Sequence, residues 1–334
     1  MVTIVEVAKH AKVSPAIVSR LLNGDDTLRV SPETRVRVLK SVEELKYVPS
    51  YAARSLRMNI PSVISLLLPD TTSTLNANLL KGVEDGARSK DLAVNILRAE
   101  ILEEGMDRVL RFIREGRTDG LLLQIPDSLP DSIYDELGEL SIPLVILNSV
   151  SEGSLPTVVL DDAAAIKIAH DYLTENGHTR IGFVGGLDSH YPARRRSESF
   201  KAITKSKKLQ TQSAWITSFG LTNEDGADAA QFFFDLEDKP TALVVANVNA
   251  AMGFIAQAHR LGMALPADVS IIAIHDVPYA ESTWPPLTTV AMPFYELGRR
   301  GVEALFAEKG PVEHIVISDP APKLQIRESV AKIN

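Results

Sequence analysis

The chain has no cysteine. A disulfide framework, a zinc–thiolate site and a cysteine nucleophile are therefore excluded. Long hydrophobic runs are missing too: stretches such as Val63–Pro69 are too short to span a bilayer. The opening MVTIVEVAKHAKVS lacks a basic segment leading into a long apolar run, so no signal peptide is expected and a cytoplasmic location is the default. Phosphate-loop patterns are absent: Val184-Gly185-Gly186-Leu187 matches neither G-x-G-x-x-G nor G-x-x-x-x-G-K-S/T. Neither H-E-x-x-H nor G-x-S-x-G occurs, and the seven histidines are scattered without metal-ligand spacing. The expectation is a protein with no catalytic residues, no metal and no cofactor.

What is present is a chain of 334 residues, 45% hydrophobic and 23% charged, long enough for two or more domains with a sizeable core. Its net charge of −8 reads mildly against nucleic acid, but the average hides an asymmetry. Residues 1–60 hold 10 Lys and Arg against 6 Asp and Glu, a net +4; the other 274 hold 25 against 37, a net −12. A basic head on an acidic body suggests that one segment meets a polyanion while the rest does other work.

Thr3 can cap a helix over Ile4–Ala11, with Glu6 at capping-box spacing and Val5, Ala8 and Ala11 at helical intervals. Ser14 and Pro15 open a second helix, Pro15–Leu22, that buries Val18 and Leu22 or a similar stripe. Asn23-Gly24 ends it. A third helix starts at Ser31-Pro32, with Val38, Val42 and Leu45 as its apolar face. Two short helices with a tight turn, backed by a third, form a helix-turn-helix arrangement. The second helix exposes Pro15, Ala16, Ser19 and Arg20. Arginine can donate to guanine O6 and N7 together, and alanine can touch a thymine methyl. From residue 61 onward, short apolar runs alternate with amphipathic stretches. Val63–Leu68, Ala93–Leu97, Gly120–Ile125, Leu144–Leu147, Ile181–Val184, Leu243–Ala246 and Ser270–Ile274 read as strands of parallel sheets with crossover helices. Ligands of such sheets sit beyond the carboxyl ends of the strands, which points to Asp70–Asn76, Asn148, Gly185–Arg196, Asn247–Asn249 and His275-Asp276.

The segments IVEVAKHAKVSPAIVSRLLNG and VSPETRVRVLKSVEELKYVPSYAARSLR, followed by IGFVGG, PTALVVAN, LPADVSIIAIHD and PPLTTVAMPFYELGRR, resemble the lactose/galactose repressor (LacI/GalR) family over essentially the whole chain. The resemblance implies a small all-α helix-turn-helix head on an α/β, two-lobed, periplasmic-binding-protein-like core with parallel sheets and three crossovers. It implies a DNA-binding domain at 1–48, a hinge at 49–60 and an effector-binding and dimerisation core at 61–334. The near lobe would take 61–160 plus 292–320, and the distal lobe 161–290 plus 321–334. Contacts to double-stranded, palindromic operator DNA are expected from Thr3, Ser14, Pro15, Ala16, Ile17, Ser19, Arg20, Asn23 and Thr34. The hinge would add Ser50, Ala53, Arg54, Leu56 and Arg57, with Leu56 wedging a base step in the minor groove.

The loop Gly24–Arg29 is longer than is usual in the family and carries two acids, Asp25 and Asp26, so it is expected to point away from DNA or to lower nonspecific affinity. In the core, the resemblance assigns the effector to Arg196, Asn247, Phe219, Leu75, Asn76, Asn148, His190, His275 and Met292. His275 and Asn148 stand where the family often has aspartate. With those acids gone and Arg196 kept, the cleft is expected to tolerate an anion, which points to a sugar acid, lactone or sugar phosphate as effector, with a neutral sugar as the alternative. The expected assembly is a homodimer built through the helix around Leu79–Lys90. The chain stops soon after Arg327-Glu328-Ser329, where no tetramerisation helix is expected. A transport-type solute-binding protein, an α/β enzyme and an activator of the same family remain alternatives at this point.

Overall fold

A computed structural model describes residues 2–25, 27–47, 62–69, 71, 73–99, 106–124, 131–150, 155–207, 209, 211–307 and 314–333. The chain separates into two compact units, 1–62 and 63–334.

In the first unit, α1 (Ile4–His10) opens with a reciprocal capping box. The Glu6 N–H donates to Thr3 Oγ1 at 3.3 Å, and the Thr3 N–H donates to a Glu6 carboxylate oxygen at 2.7 Å. Helix α2 (Pro15–Leu22) starts at Ser14, whose side chain accepts from the Ile17 N–H. Helix α3 (Pro32–Glu44) starts the same way at Ser31. The three share a core of Val7, Ala8, Ala11, Val18, Leu21 and Val38. Two expectations shift by a residue or two. Val5 is 60% exposed because the buried stripe of α1 runs through Val7, Ala8 and Ala11. On α2, Leu21 is buried and Leu22 only partly so. Arg37 Nε donates to the Ala11 carbonyl at 2.9 Å, which pins α3 to the end of α1.

The second unit is built on two six-stranded sheets. The near-lobe strands are β1 (Val63–Leu68), β2 (Ala93–Arg98), β3 (Leu121–Leu123), β4 (Leu144–Leu147), β5 (Thr157–Leu160) and β11 (His314–Ile317). They lie in the order β11-β5-β4-β3-β1-β2, with every neighbouring pair parallel. The distal lobe uses β6 (Ile181–Gly185), β7 (Ile216–Ser218), β8 (Ala242–Val245), β9 (Ser270–Ile274), β10 (Thr288–Ala291) and β12 (Lys323–Gln325). Their order is β12-β10-β9-β8-β6-β7, parallel except for β12 against β10. The two orders are the same when strands are matched by their place in each lobe. Central strands such as VISLLL and LVIL are buried on both faces, which is why they read as unbroken apolar runs rather than alternating ones. The chain passes from one sheet to the other after β5, after β10 and after β11.

The helices between near-lobe strands are α4 (Asn76–Arg88), α5 (Met106–Arg114) and α6 (Asp131–Gly138). The distal lobe follows with α7 (Asp162–Glu175), α8 (Tyr191–Ser206), α9 (Asn223–Asp235) and α10 (Val248–Arg260), and α11 (Phe294–Leu305) precedes β11. In the near lobe, α4 lies directly on α11. Glycines allow the approach: a Cβ on Gly82 would fall 1.9 Å from the Tyr295 carbonyl oxygen, and one on Gly298 would fall 2.3 Å from that of Leu79. Leu79, Val83 and Ala87 are thereby committed to the core, and α4 offers Lys81, Glu84 and Arg88 outward. In the distal lobe, α7 buries His170 beside the Phe200 ring, with centroids 5.9 Å apart. Neither ring nitrogen has a hydrogen-bond partner among the described residues. Burial, helped by the nearby Lys207 charge, pushes His170 down from 6.5 to about 4.

Gly82→Ala should force α4 off α11 and lower stability by about 3 kcal/mol, read as a drop in the urea midpoint. The buried histidine makes the second unit acid-sensitive. Between about pH 6.5 and 4 the unfolded chain takes up a proton that folded His170 refuses, so stability rises with pH across that window. His170→Leu should reduce the stability lost between pH 7 and pH 5 by about 2 kcal/mol. An unchanged pH dependence of the urea midpoint would contradict this.

Candidate functional site

On the head, α2 presents Pro15, Ala16 and Arg20 exposed, with Ile17 and Ser19 half-buried beside them. Asn23 is exposed at the end of the helix and its Nδ2 lies 3.4 Å from Ser19 Oγ. The side chains of Thr3, Ser14 and Thr34 are engaged at helix starts. The acidic loop lies against α2. Asp25 folds back on α2 and accepts from Arg20 Nε at 2.6 Å, while Arg20 Nη2 donates to Thr27 Oγ1 at 2.9 Å. Asp26, and the hinge residues Ser50, Ala53, Arg54, Leu56 and Arg57, lie outside the described residues.

In the second unit, a cleft of about 520 Å³ opens where the carboxyl ends of both sheets face each other. Pro69 follows β1, Gln124 follows β3 and Asn148 follows β4; across the cleft, Asn247 follows β8 by two residues and His275 follows β9. His190 and Arg196 come from the start and first turns of α8, which follows β6. Leu75 and Asn76 line it from the start of α4. Thr74 reaches Tyr279 of the distal lobe through a hydroxyl–hydroxyl hydrogen bond. Seven of the nine residues expected at an effector are thus brought together: Leu75, Asn76, Asn148, His190, Arg196, Asn247 and His275. Phe219 and Met292 are not in the lining. Phe219 packs against Phe232 at 5.7 Å between centroids, and Met292 is buried in the core. Asp70 lies outside the described residues. Gln124, Thr222 and Asn223 also line the cleft. Gln124, which follows β3, could have been found by the strand-end rule.

Asn148 and His275 occupy matching places in the two lobes. Each follows the fourth strand of its lobe in the left-handed region, with φ of 55° and 72°. Each is pinned there by its backbone N–H, which donates to Val158 in one case and to Val290 in the other, at 2.8 and 2.9 Å. Such backbone is costly for residues other than glycine and gathers where side chains must be aimed.

The electrostatics differ from the expectation of an unbalanced cation. Arg196 is 1% exposed, and its Nε donates to Asp162 Oδ1 at 2.7 Å, a carboxylate equally out of reach of water. Its Nη1 donates to the Ala246 carbonyl at 2.6 Å. Burial pushes the Asp162 carboxyl up, against the opposing pull of Arg196. Burial, with the Arg196 charge nearby, holds His275 well below the usual histidine range, so its ring is neutral at pH 7. The His275 ring rests against Phe294, 5.0 Å between centroids. Four buried polar atoms of cleft side chains have no hydrogen-bond partner among the described residues: Asn148 Oδ1, His190 Nδ1, Arg196 Nη2 and His275 Nδ1. Buried polar atoms are rarely left so, and four converging on one cleft mark a place where a polar ligand completes the bonding. Among the described residues no cluster of metal-ligating side chains is present, and no helix is long and apolar enough to cross a membrane.

Comparison with known proteins agrees with both parts. Residues 3–50 match the bacterial regulatory proteins of the lacI family, and residues 170–330 match a periplasmic binding protein-like domain. The chain is 30% identical over 337 residues to the HTH-type transcriptional repressor PurR of Photobacterium profundum, covering 100% of both. It is 31% identical to the ribose operon repressor of Halalkalibacterium halodurans, over 98% of this chain and 97% of that one. A structure of the lac repressor dimer bound to operator and the anti-inducer ONPF superposes with a TM-score of 0.83 over 99% of both chains, at 22% identity, which speaks for the fold. Repressors of this family bind operator DNA as dimers, respond to small-molecule effectors and are not enzymes. The capped three-helix head, the paired parallel sheets and the full-length relatives lead to one conclusion: the chain belongs to the LacI family and is a DNA-binding transcriptional repressor.

Proposed function

We propose that two copies of this chain place their α2 helices in adjacent major grooves of a palindromic operator, and that a hydroxyl-rich, sugar-sized metabolite in the cleft sets operator affinity. Dimer symmetry matches operator symmetry, and half-sites one helical turn apart follow from it. Arg20, Ala16 and Ser19 are the base-reading residues of the head, with Pro15, Ile17 and Asn23 around them. The hinge at 50–57 joins the operator through its arginines and the Leu56 wedge. The near-lobe helix α4 lies at the dimer face with its Lys81, Glu84 and Arg88 side.

The observation that carries the effector reading is the set of four unpartnered atoms. Arg196 Nη2 needs an acceptor, Asn148 Oδ1 needs a donor, and the two histidine nitrogens take either. A hydroxyl satisfies every one of these. Asp162 already balances Arg196, so the ligand need not bring an anion. That narrows the expected class to neutral sugars and sugars carrying one carboxylate, and disfavours sugar phosphates. A relative named as a ribose operon repressor fits this reading. Ligand binding favours one lobe arrangement over another, and a coupling of about 1–3 kcal/mol is enough to switch operator occupancy.

Calorimetry on the full-length protein tests the ligand class with aldoses, the matching sugar acids, sugar phosphates and purine bases. Saturable binding is expected only for the first two groups. Tight binding of a purine or a sugar phosphate alone would overturn the assignment. Operator selection in vitro, repeated with the ligand that binds, tests the regulatory link. In the selected operator, Arg20→Ala should lower discrimination for guanine at one position per half-site about tenfold or more, with the salt dependence nearly unchanged. An equal loss across all sequences would remove Arg20 from the base-reading set.

A further inference from the structure

The acidic loop after α2 has a place in the geometry of reading. Gly24 follows the helix in the left-handed region, φ 68°, with its N–H bonded to the Leu21 carbonyl; the Asp25 N–H bonds back to the Arg20 carbonyl at 3.1 Å. This is the paired hydrogen-bond pattern that closes helices with a left-handed glycine, and in it the side chains two residues past the cap and on the last turn come together. An apolar contact usually fills that spot. Here the two residues are Asp25 and Arg20.

The bonding around them is closed. Asp25 Oδ2 accepts from Arg20 Nε at 2.6 Å, and Asp25 Oδ1 accepts from the Thr27 N–H at 2.9 Å and from its hydroxyl at 2.6 Å. The Thr27 oxygen in turn accepts from Arg20 Nη2 at 2.9 Å. Two of the five guanidinium hydrogens are thereby held on the Nε side, and among the described residues Nη1 with the second Nη2 hydrogen is left as a free end. Those are the two donors that an end-on approach to guanine O6 and N7 requires. Arg20 and Thr27 also hold the Asp25 carboxyl down at about 2, so the clamp stays charged at any physiological pH.

Resting on Arg20 as a base reader, we propose that Asp25, with Thr27, is a positioning residue for specificity: it pre-orients the Arg20 guanidinium for end-on recognition of guanine. A long, flexible side chain is thereby fixed before it meets DNA, and its ordering does not weaken binding to the correct sequence. The acid repels phosphates, so the arrangement trades general affinity for discrimination.

The test measures the binding of full-length wild type, Asp25→Ala, Thr27→Val, Arg20→Ala and Arg20→Ala/Asp25→Ala to the selected operator. Each is also measured on a duplex with the Arg20-dependent guanine replaced and on random DNA, across a salt series. Asp25→Ala should lose about five- to tenfold in discrimination at that base pair, with equal or tighter binding to random DNA. Thr27→Val, which keeps the Asp25–Arg20 pair, should lose about two- to threefold. In the Arg20→Ala background, Asp25→Ala should change discrimination no further. Unchanged discrimination in Asp25→Ala, with affinity raised equally on all DNA, would make the acid a simple repeller and overturn the proposal. A loss of discrimination that persists without Arg20 would overturn it as well. If Arg20→Ala alone left discrimination intact, the base-reading role of Arg20 would be what had failed.

Discussion

The charge of the cleft is set by one interaction, the buried pair between Arg196 and Asp162. Asp162 opens α7 immediately after the chain has crossed from the near lobe, and Arg196 comes from the helix after the first distal strand. The Ala246 carbonyl, at the end of β8, takes a second guanidinium hydrogen. Three segments distant in sequence therefore meet at one cation. A buried pair is weak evidence of added stability, but removing one partner strands the other and costs about 3–5 kcal/mol. The pair is best understood as what allows an arginine to sit, dry and unsaturated, at the floor of the cleft. Its spare Nη2 hydrogens are available to a ligand, and the charge is already met from inside.

The same constraint governs the rest of the lining. With the cation balanced, what faces the cleft is amides, hydroxyls and neutral imidazole: Asn76, Asn148, Asn247, Asn249, Thr222 and His275. Burial and the Arg196 charge both disfavour a proton on His275. The ring can then accept at one nitrogen and donate at the other. Asn148 and His275 are aimed by matching left-handed turns in two lobes of the same strand order, so the cleft is assembled from two copies of one local device. The contact from Thr74 to Tyr279 joins the lobes beside the lining residues Ser73 and Leu75.

Much of this was legible in the sequence, for identifiable reasons. Helix starts announce themselves through local chemistry, so Thr3, Ser14 and Ser31 were readable one by one. Buried parallel strands read as apolar runs, and the rule of strand carboxyl ends picked out Asn148, Asn247 and His275 without any contact being known. Val5 and Leu22 were misplaced because a seven- or eight-residue helix has too few positions to fix its phase. The Asp162 partner was not found because the pairing joins residues 34 apart across a lobe crossover, and no local pattern marks it. Phe219 went the other way: an aromatic near the cleft in sequence satisfied its packing against Phe232.

The charge asymmetry also takes on a finer meaning. Acids in a polyanion-binding head look like a defect when counted, and the net +4 of residues 1–60 already includes six of them. Yet Glu6 closes the capping box of α1, and Asp25 is bound to Arg20, the one basic side chain of α2. These acids organise the positive surface as well as diluting it. A head of low net charge draws less on long-range attraction to a polyanion, which gives more weight to geometry repeated in the two half-sites of a dimer. Pre-ordered side chains are worth most in that regime, because each half-site has few contacts in which to absorb a disordered one.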